Sequence, residues 1–175
     1  MLSATLVTHL RYNRWATEII LTDAIPLTAE QLVAPTKSSF GSIYDTLVHL
    51  YQFDRVWLDR LEGRPSGNLA DYEAPGCMWE LREAWLGVHD RMIACVQALD
   101  ESDLSRVIDY KNLAGQPFSY PIWQMILHIV NHGTHHRGQV TTTLRQIGRT
   151  PTNMDLLRYF RTMPAEHQAE LVETN

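Results

Sequence analysis

The chain has 175 residues, of which 45% are hydrophobic, so it can bury a full core and is not a disordered protein. Its net charge of -5 and its lack of any basic run argue against a nucleic-acid partner. Two cysteines do not make a disulfide framework, and no signal peptide is visible, so we expect one domain over residues 1–175 in the cytoplasm.

Three segments in the first hundred residues have apolar residues at helical spacing, namely 2–22, 42–62 and 78–100. The connector 23–41 separates the first two, and a loop rich in glycine and proline, 63–77, separates the second and third. Within the connector, Thr28 could open a short helical turn, and Ser38 and Ser39 could cap the helix that follows.

Two polar residues fall on the apolar stripes of these helices. We interpret Asn13 as making a local hydrogen bond in the core; the alternative is a partner of a ligand in a pocket. Asp54 needs a partner, because an unpaired buried carboxylate costs several kcal/mol. That partner could be a tyrosine, an arginine or a ligand histidine, and a structural ion pair is the favoured interpretation.

Residues 106–120 favour strand at both ends and a turn from Asn112 to Gly115, which predicts a small hairpin or two irregular extended pieces. A long helix follows over 121–148, then a short helix over 155–163 and an acidic tail after Pro164 that we expect to fray. The stretch 112–136 has no charged residue, but its prolines and histidines rule out a membrane span. The predicted fold is therefore all-α, a four-helix bundle with a small β-hairpin before the last long helix.

The long helix 121–148 carries four of the eight histidines: His128, His132, His135 and His136. His132 and His136 lie one turn apart on one face and could hold a single divalent cation, but so could His128 and His132. Periodicity alone leaves both pairs open, while His135 points about 100° away from His136. Metal binding is favoured over carbonyl capping or surface packing, because the two pairs overlap.

Two other polar features of this helix invite a functional interpretation. Gly133 lies between the histidines, where a glycine costs roughly 1 kcal/mol against alanine, so close approach of another backbone or room for a ligand could explain it. Gln139 and Thr143 continue the face of His132 and could line a pocket.

Three stretches, YNRWA, SFGSIYDTLVHLYQFDRVWLDRL and LHIVNHGTHHRGQV, give the chain a resemblance to the DinB/YfiT-like superfamily of metal-dependent proteins. The resemblance covers almost the whole chain. In the family motif the two helical metal ligands match His132 and His136, and the second-helix motif carries a third ligand that matches His49. The resemblance therefore selects His132 and His136 over the pair that includes His128.

The resemblance implies a four-helix bundle, usually a homodimer, with one divalent metal ion, for which zinc, nickel and iron all suit three imidazoles. It also implies a metal-dependent enzyme, a thiol transferase or isomerase that uses a small-molecule thiol, or a hydrolase acting on another small substrate. The chain's five tryptophans agree with a dimer, since one small core does not obviously need so many. The alternatives are a non-catalytic dimeric metal-binding or stress-response module, and histidines with a purely structural role.

Overall fold

The computed structural model describes residues 2–112, 115–165 and 167–168. Within them the regular secondary structure is helical apart from one hairpin. The elements in chain order are α1 (Leu2–Ala24), α2 (Ala29–Val33), α3 (Ile43–Leu61), α4 (Met78–Gln97), β1 (Val107–Lys111), β2 (Pro117–Pro121), α5 (Ile122–Gln146) and α6 (Leu156–Thr162). Single 3₁₀ turns occur at Leu69–Asp71 and Asp103–Ser105.

The four long helices form the predicted bundle. Helix α1 packs against α4 and α5, and α3 packs against the same two helices, so each helix has two neighbours around a shared core. The apolar stripes of all four helices meet in this core, where Leu6, Leu47, Trp85 and Ile126 are fully buried. This arrangement sets α3 beside α5 and so brings the second-helix motif to the histidine-rich helix.

The helix ends follow local capping chemistry, with one correction to the sequence analysis. Thr28 forms the expected capping box, in which its hydroxyl accepts the Gln31 amide at 3.3 Å. Helix α3 is capped by Ser42, which accepts the amide of Asp45 at 3.0 Å, and not by Ser38 or Ser39. A cap must stand directly before the first turn, and Ser38 and Ser39 are too early in the chain to do so.

The predicted hairpin is confirmed as an antiparallel pair of β1 and β2, in which Tyr110 lies opposite Phe118 and Ile108 opposite Tyr120. These four apolar residues share one face, because strand side chains alternate. Gly115 has a φ of +76°, a conformation that glycine adopts without strain. The middle of the predicted turn, residues 113–114, lies outside the described residues.

The tryptophans give less support to a dimer than their number suggested. Trp57 and Trp85 are buried within the chain, Trp15 and Trp123 are partly buried against its core, and Trp79 is 61% exposed. The homodimer therefore stays a prediction. Most of the tail after Pro164 lies outside the described residues, so its predicted fraying also stays a prediction. Among the described helices, none combines the length and the apolar character that crossing a membrane requires.

Candidate metal centre

Three histidine side chains converge between α3 and α5. His49 of α3 and His132 and His136 of α5 each offer a ring nitrogen, and these atoms all lie within 4.8 Å of one another. The Nε2 atoms of His49 and His132 are 3.3 Å apart. A tetrahedral zinc with nitrogen ligands at about 2.0–2.1 Å would hold two of them about 3.3–3.4 Å apart, so this pair already has ligand spacing.

The local structure explains why these three rings meet. His132 and His136 are four residues apart on one helix, so they project from the same face on successive turns. His49 precedes the buried Leu50 on α3, and the packing of α3 against α5 turns its ring toward that face. Within the described residues, no carboxylate or thiolate joins the three imidazoles in this group.

Two phenylalanines flank the cluster and shield it from water. The ring of Phe40 stacks on His49 with centroids 4.0 Å apart, and the ring of Phe53 stacks on His132 at 3.6 Å with an interplanar angle of 15°. Phe53 follows His49 by four residues on α3, so helical spacing alone places it beside that ring. Phe40 was missed, because it belongs to the connector before α3, where no periodic pattern indicates which way a side chain points.

Burial and the neighbouring histidines lower the pKa of two of the three rings, His49 and His132. Burial first, and then His136, lower the pKa of His49 to about 4. Burial, followed by the neighbouring histidines, lowers the pKa of His132 to about 3. Both values lie well below 6.5, so the imidazoles of His49 and His132 carry no charge at neutral pH and keep a lone pair for a cation.

A hydrogen bond from His136 to Gln139 orients the third ring. The side-chain carbonyl oxygen of Gln139 lies 2.8 Å from His136 Nδ1, and a carbonyl can only accept, so Nδ1 carries the proton and Nε2 keeps its lone pair. The amide nitrogen of Gln139 donates to Ser39 Oγ at 2.7 Å, which fixes the orientation of the amide. The hydroxyl of Thr143 donates to the backbone carbonyl of Gln139 at 3.1 Å. Gln139 thus supports a ligand, the role that partners of metal-bound histidines usually have.

The other side of α5 is anchored to α1 by a buried arginine. Arg137 Nη1 donates to Asn13 Oδ1 at 2.6 Å, and both side chains are buried. The bond links residues 124 positions apart, so Asn13 is a core residue as expected, but its partner is distant and not local. Gly133 is explained by the same contact. A Cβ there would lie 2.6 Å from Arg137 Nη1 and 2.7 Å from Asn13 Oδ1, so the glycine makes room for two side chains and not for a backbone or a ligand.

Asp54 finds a partner that the sequence analysis did not propose. Trp85 Nε1 of α4 donates to Asp54 Oδ2 at 2.7 Å, and His89 Nε2 lies 3.5 Å from the same oxygen. Burial, chiefly, lowers the pKa of His89 to about 3, so its ring is neutral and does not form an ion pair at neutral pH. Burial raises the pKa of Asp54 to about 7, although Trp85 and Arg137 act in the opposite direction.

The remaining histidines of α5 lie outside the cluster. The ring of His128 packs edge-on against Trp57 at 5.4 Å, and its centroid is 6.0 Å from that of His132. His135 is exposed, and its Nε2 lies 3.3 Å from the amide nitrogen of Gln139. The structure therefore brings together the three histidines selected by the family motif and leaves the rival His128 to an aromatic environment.

Comparisons with known proteins show which family the chain is similar to. The model of the DinB family matches residues 1–169. The protein DinB of Bacillus subtilis (strain 168) is 27% identical over 154 residues, which cover 83% of this chain and 88% of that protein.

Solved structures show the same fold. A DinB-like protein of Bacillus cereus ATCC 10987 has a TM-score of 0.63 at 24% identity, covering 82% of this chain and 91% of its own. YfiT of Bacillus subtilis has a TM-score of 0.66 at 15% identity, covering 81% of this chain and 87% of its own. YfiT was described as a probable metal-dependent hydrolase with an unusual four-helix bundle topology.

Proposed function

The chain belongs to the DinB family, and from that premise we propose that it is a metal-dependent enzyme acting on a small molecule, with His49, His132 and His136 holding one divalent cation. The observation that carries the proposal is the convergence of three histidine ring nitrogens within 4.8 Å. Three imidazoles suit zinc, nickel or iron, and we propose that the native ion is one of these three.

The number of protein ligands favours catalysis over a purely structural role. Structural zinc sites are closed by four protein ligands, whereas catalytic sites use three and leave a position for water or substrate. When bound, the cation supplies Lewis acidity that can polarise a carbonyl or stabilise a thiolate. The protein's own part is to keep His49 and His132 neutral, to orient His136 through Gln139, and to shield the cluster with Phe40 and Phe53.

Two reaction classes fit such a centre. The family resemblance favours transfer or isomerisation with a small-molecule thiol, and the description of YfiT favours hydrolysis. A thiol would have to come from a cosubstrate. Cys77 stands exposed at the start of α4, and Cys95 lies on α4 with its sulfur 3.8 Å from the Leu61 carbonyl oxygen, so neither belongs to the histidine cluster.

Metal titration of five single alanine variants tests the ligand set. We expect His49→Ala, His132→Ala and His136→Ala each to weaken zinc or nickel affinity by more than roughly 100-fold. That factor is the upper end of what the loss of a hydrogen-bond partner of a metal ligand costs. His128→Ala and His135→Ala serve as matched controls, because both remove an imidazole from α5 that is not one of the three converging rings. Abolished binding in His128→Ala together with intact binding in His136→Ala would show that the rival pair is the site.

Cobalt substitution then separates the enzyme from a non-catalytic metal-binding module. If a coordination position is open, ethanethiol or azide should change the visible spectrum of the cobalt-loaded protein in a saturable way. A spectrum that neither ligand changes would indicate a closed site and a structural role for the metal. A screen of ester hydrolysis and thiol transfer with the loaded protein would then decide between the two reaction classes.

A further inference from the structure

A cavity beside the histidine cluster is lined mainly by aromatic side chains. It has a volume of about 270 Å³ and lies where the hairpin faces α3 and α5. We call it the aromatic cleft, and its main lining residues are Trp57, Tyr110, Phe118, Tyr120, Gln124 and His128. Neither the metal ligands nor the side chains that support them line it.

The hairpin supplies most of the aromatic surface of the cleft. Tyr110 and Phe118 lie opposite each other in the strand register and stack with centroids 5.7 Å apart and an interplanar angle of 20°. Tyr120 follows on the same face and stacks on Phe118 at 6.1 Å. Flat rings arranged in this way favour another flat ring, through offset stacking and edge contacts.

The charged groups in and around the aromatic cleft indicate which class of ligand it favours. The residues lining the cleft include no carboxylate and no ammonium or guanidinium group. The Arg60 guanidinium already lies over the outer aromatic rings, with its carbon 3.9 Å from the Tyr110 centroid and 4.6 Å from that of Trp57. A second cation would be repelled there, so the cleft favours an uncharged ring over the quaternary ammonium groups that other aromatic cages bind.

The position of His128 connects the cleft to the histidine cluster. Its ring packs against Trp57 within the cleft at 5.4 Å, and its centroid is 6.0 Å from that of the metal-ligand candidate His132. His128 and Gln124 also carry hydrogen-bonding groups on the side of the cleft that α5 forms, so they can bind one polar group on a bound ring. A molecule in the cleft would therefore have its inner end at His128, one ring away from His132.

We propose that the aromatic cleft binds an uncharged, planar aromatic portion of the substrate and presents the reactive end of that substrate to the metal centre. The volume of about 270 Å³ lies just below the usual range for small-molecule sites of roughly 300–1,000 Å³, so the cleft holds one substituted ring and not a peptide or a helix. The link to catalysis rests on the proposed function, but ring binding by itself does not.

The first experiment measures p-cresol binding to metal-free protein by ligand-observed NMR and calorimetry. We expect saturable binding in the wild-type protein, weaker binding of cyclohexanol, and no binding of benzyltrimethylammonium. Phe118→Ala and Tyr120→Ala should each weaken p-cresol binding by about threefold to tenfold, as the loss of one aromatic contact predicts. Gln124→Trp should abolish it by filling the cleft. Trp79→Ala is the matched control. It removes an exposed aromatic ring on α4 that does not line the cleft, so it should leave binding unchanged.

The second experiment uses cobalt-loaded protein and compares 4-methylbenzyl mercaptan with ethanethiol. The aromatic thiol should bind more tightly by about tenfold, and Phe118→Ala should remove most of that preference. Saturable ethanethiol binding together with no p-cresol binding would overturn the cleft proposal and leave the metal centre standing. Variant-sensitive p-cresol binding without any cobalt binding would support the cleft and overturn the proposed function instead. Equal p-cresol affinity in every variant, or preferred binding of the ammonium ion, would also overturn the cleft proposal.

Discussion

Replacing Gly133 by alanine tests the structure where it departs most from helix propensity. In an unconstrained helix interior the substitution would stabilise the protein by roughly 1 kcal/mol. Here the new Cβ would lie 2.6 Å from Arg137 Nη1 and 2.7 Å from Asn13 Oδ1, distances that real Cβ atoms do not tolerate. Both side chains are buried, at 2% and 1% exposure, so neither can move into water without breaking their hydrogen bond.

The expected net effect is a loss of about 2–4 kcal/mol in the free energy of unfolding. Overpacking costs about 1–3 kcal/mol, and losing a hydrogen bond to a charged group costs about 1.5–3 kcal/mol, against the helix-propensity gain. For a chain of this length each kcal/mol shifts the melting temperature by about 2–4 °C, so we expect a decrease of about 5–15 °C.

Urea denaturation of the metal-free protein, at one fixed protein concentration, measures this free energy of unfolding. Gly138→Ala is the matched control on the same helix, because its Cβ would meet nothing within 4 Å, and it should stabilise the protein by up to about 1 kcal/mol. In an Asn13→Ala background, Gly133→Ala should cost less, because one of the two clashing atoms is gone. A Gly133→Ala protein at least as stable as the wild type would refute the proposed contact between α1 and α5.

Two further predictions concern pH and the buried carboxylate. The pKa values of His49 and His132 are lowered to about 4 and about 3, so as the pH falls below about 6.5 the unfolded chain binds protons that the folded chain does not. Stability should fall from pH 6.5 toward pH 4, and bound metal should be lost over the same range, which melting curves and metal analysis would show; a flat response of both would count against neutral ligands. Trp85→Phe should destabilise the protein by about 2–4 kcal/mol at pH 8, because it removes the donor to buried Asp54. The loss should be smaller at pH 5, since the pKa of Asp54 is raised to about 7 and the carboxyl is then protonated; denaturation of this variant and of the exposed control Trp79→Phe at both pH values would test this, and an equal loss at both would contradict it.

The helices and the hairpin were predictable because their signals are local. Apolar spacing indicated α1, α3 and α5 to within two residues at each end, and alternation on both sides of Asn112 indicated the strands. Helix α4 ends at Gln97, three residues before the predicted end, because the pattern of apolar residues continues past the point where the helix stops. Spacing reports which face is buried and not where hydrogen bonding ends.

The contacts that set the candidate site were harder to predict because they join distant parts of the chain. Spacing on α5 allowed His132 to pair with either His128 or His136, and the choice depends on where α3 places His49. The role of Phe40 depends on how an irregular connector folds over α3. The family motif supplied the three histidines, but no local pattern indicates the stacking that makes their environment apolar.

Gly133 and Asp54 show a second limit of local reasoning. Both residues are recognisably unusual from the sequence, because one is a glycine within a helix and the other is a carboxylate on an apolar stripe. The explanation of Asp54 lies on another helix, with Trp85 of α4 beside the carboxylate, and that of Gly133 needs Asn13 of α1 as well as Arg137 of its own helix. Spacing within one helix cannot identify such partners, because it carries no information on which helices become neighbours.

Helix α5 joins the metal centre to the core through consecutive residues. Successive side chains on a helix diverge by about 100°, so His136 can face α3 while Arg137 faces α1. Gly133 leaves the space that lets Arg137 reach Asn13, and that buried bond fixes α5 against α1. A movement of α5 relative to α1 would have to break this bond, and the packing of α3 against α5 sets His49 beside His132 and His136. The candidate ligands are therefore positioned by helix packing and not by loops, which is the kind of support that a site with defined ligand geometry requires.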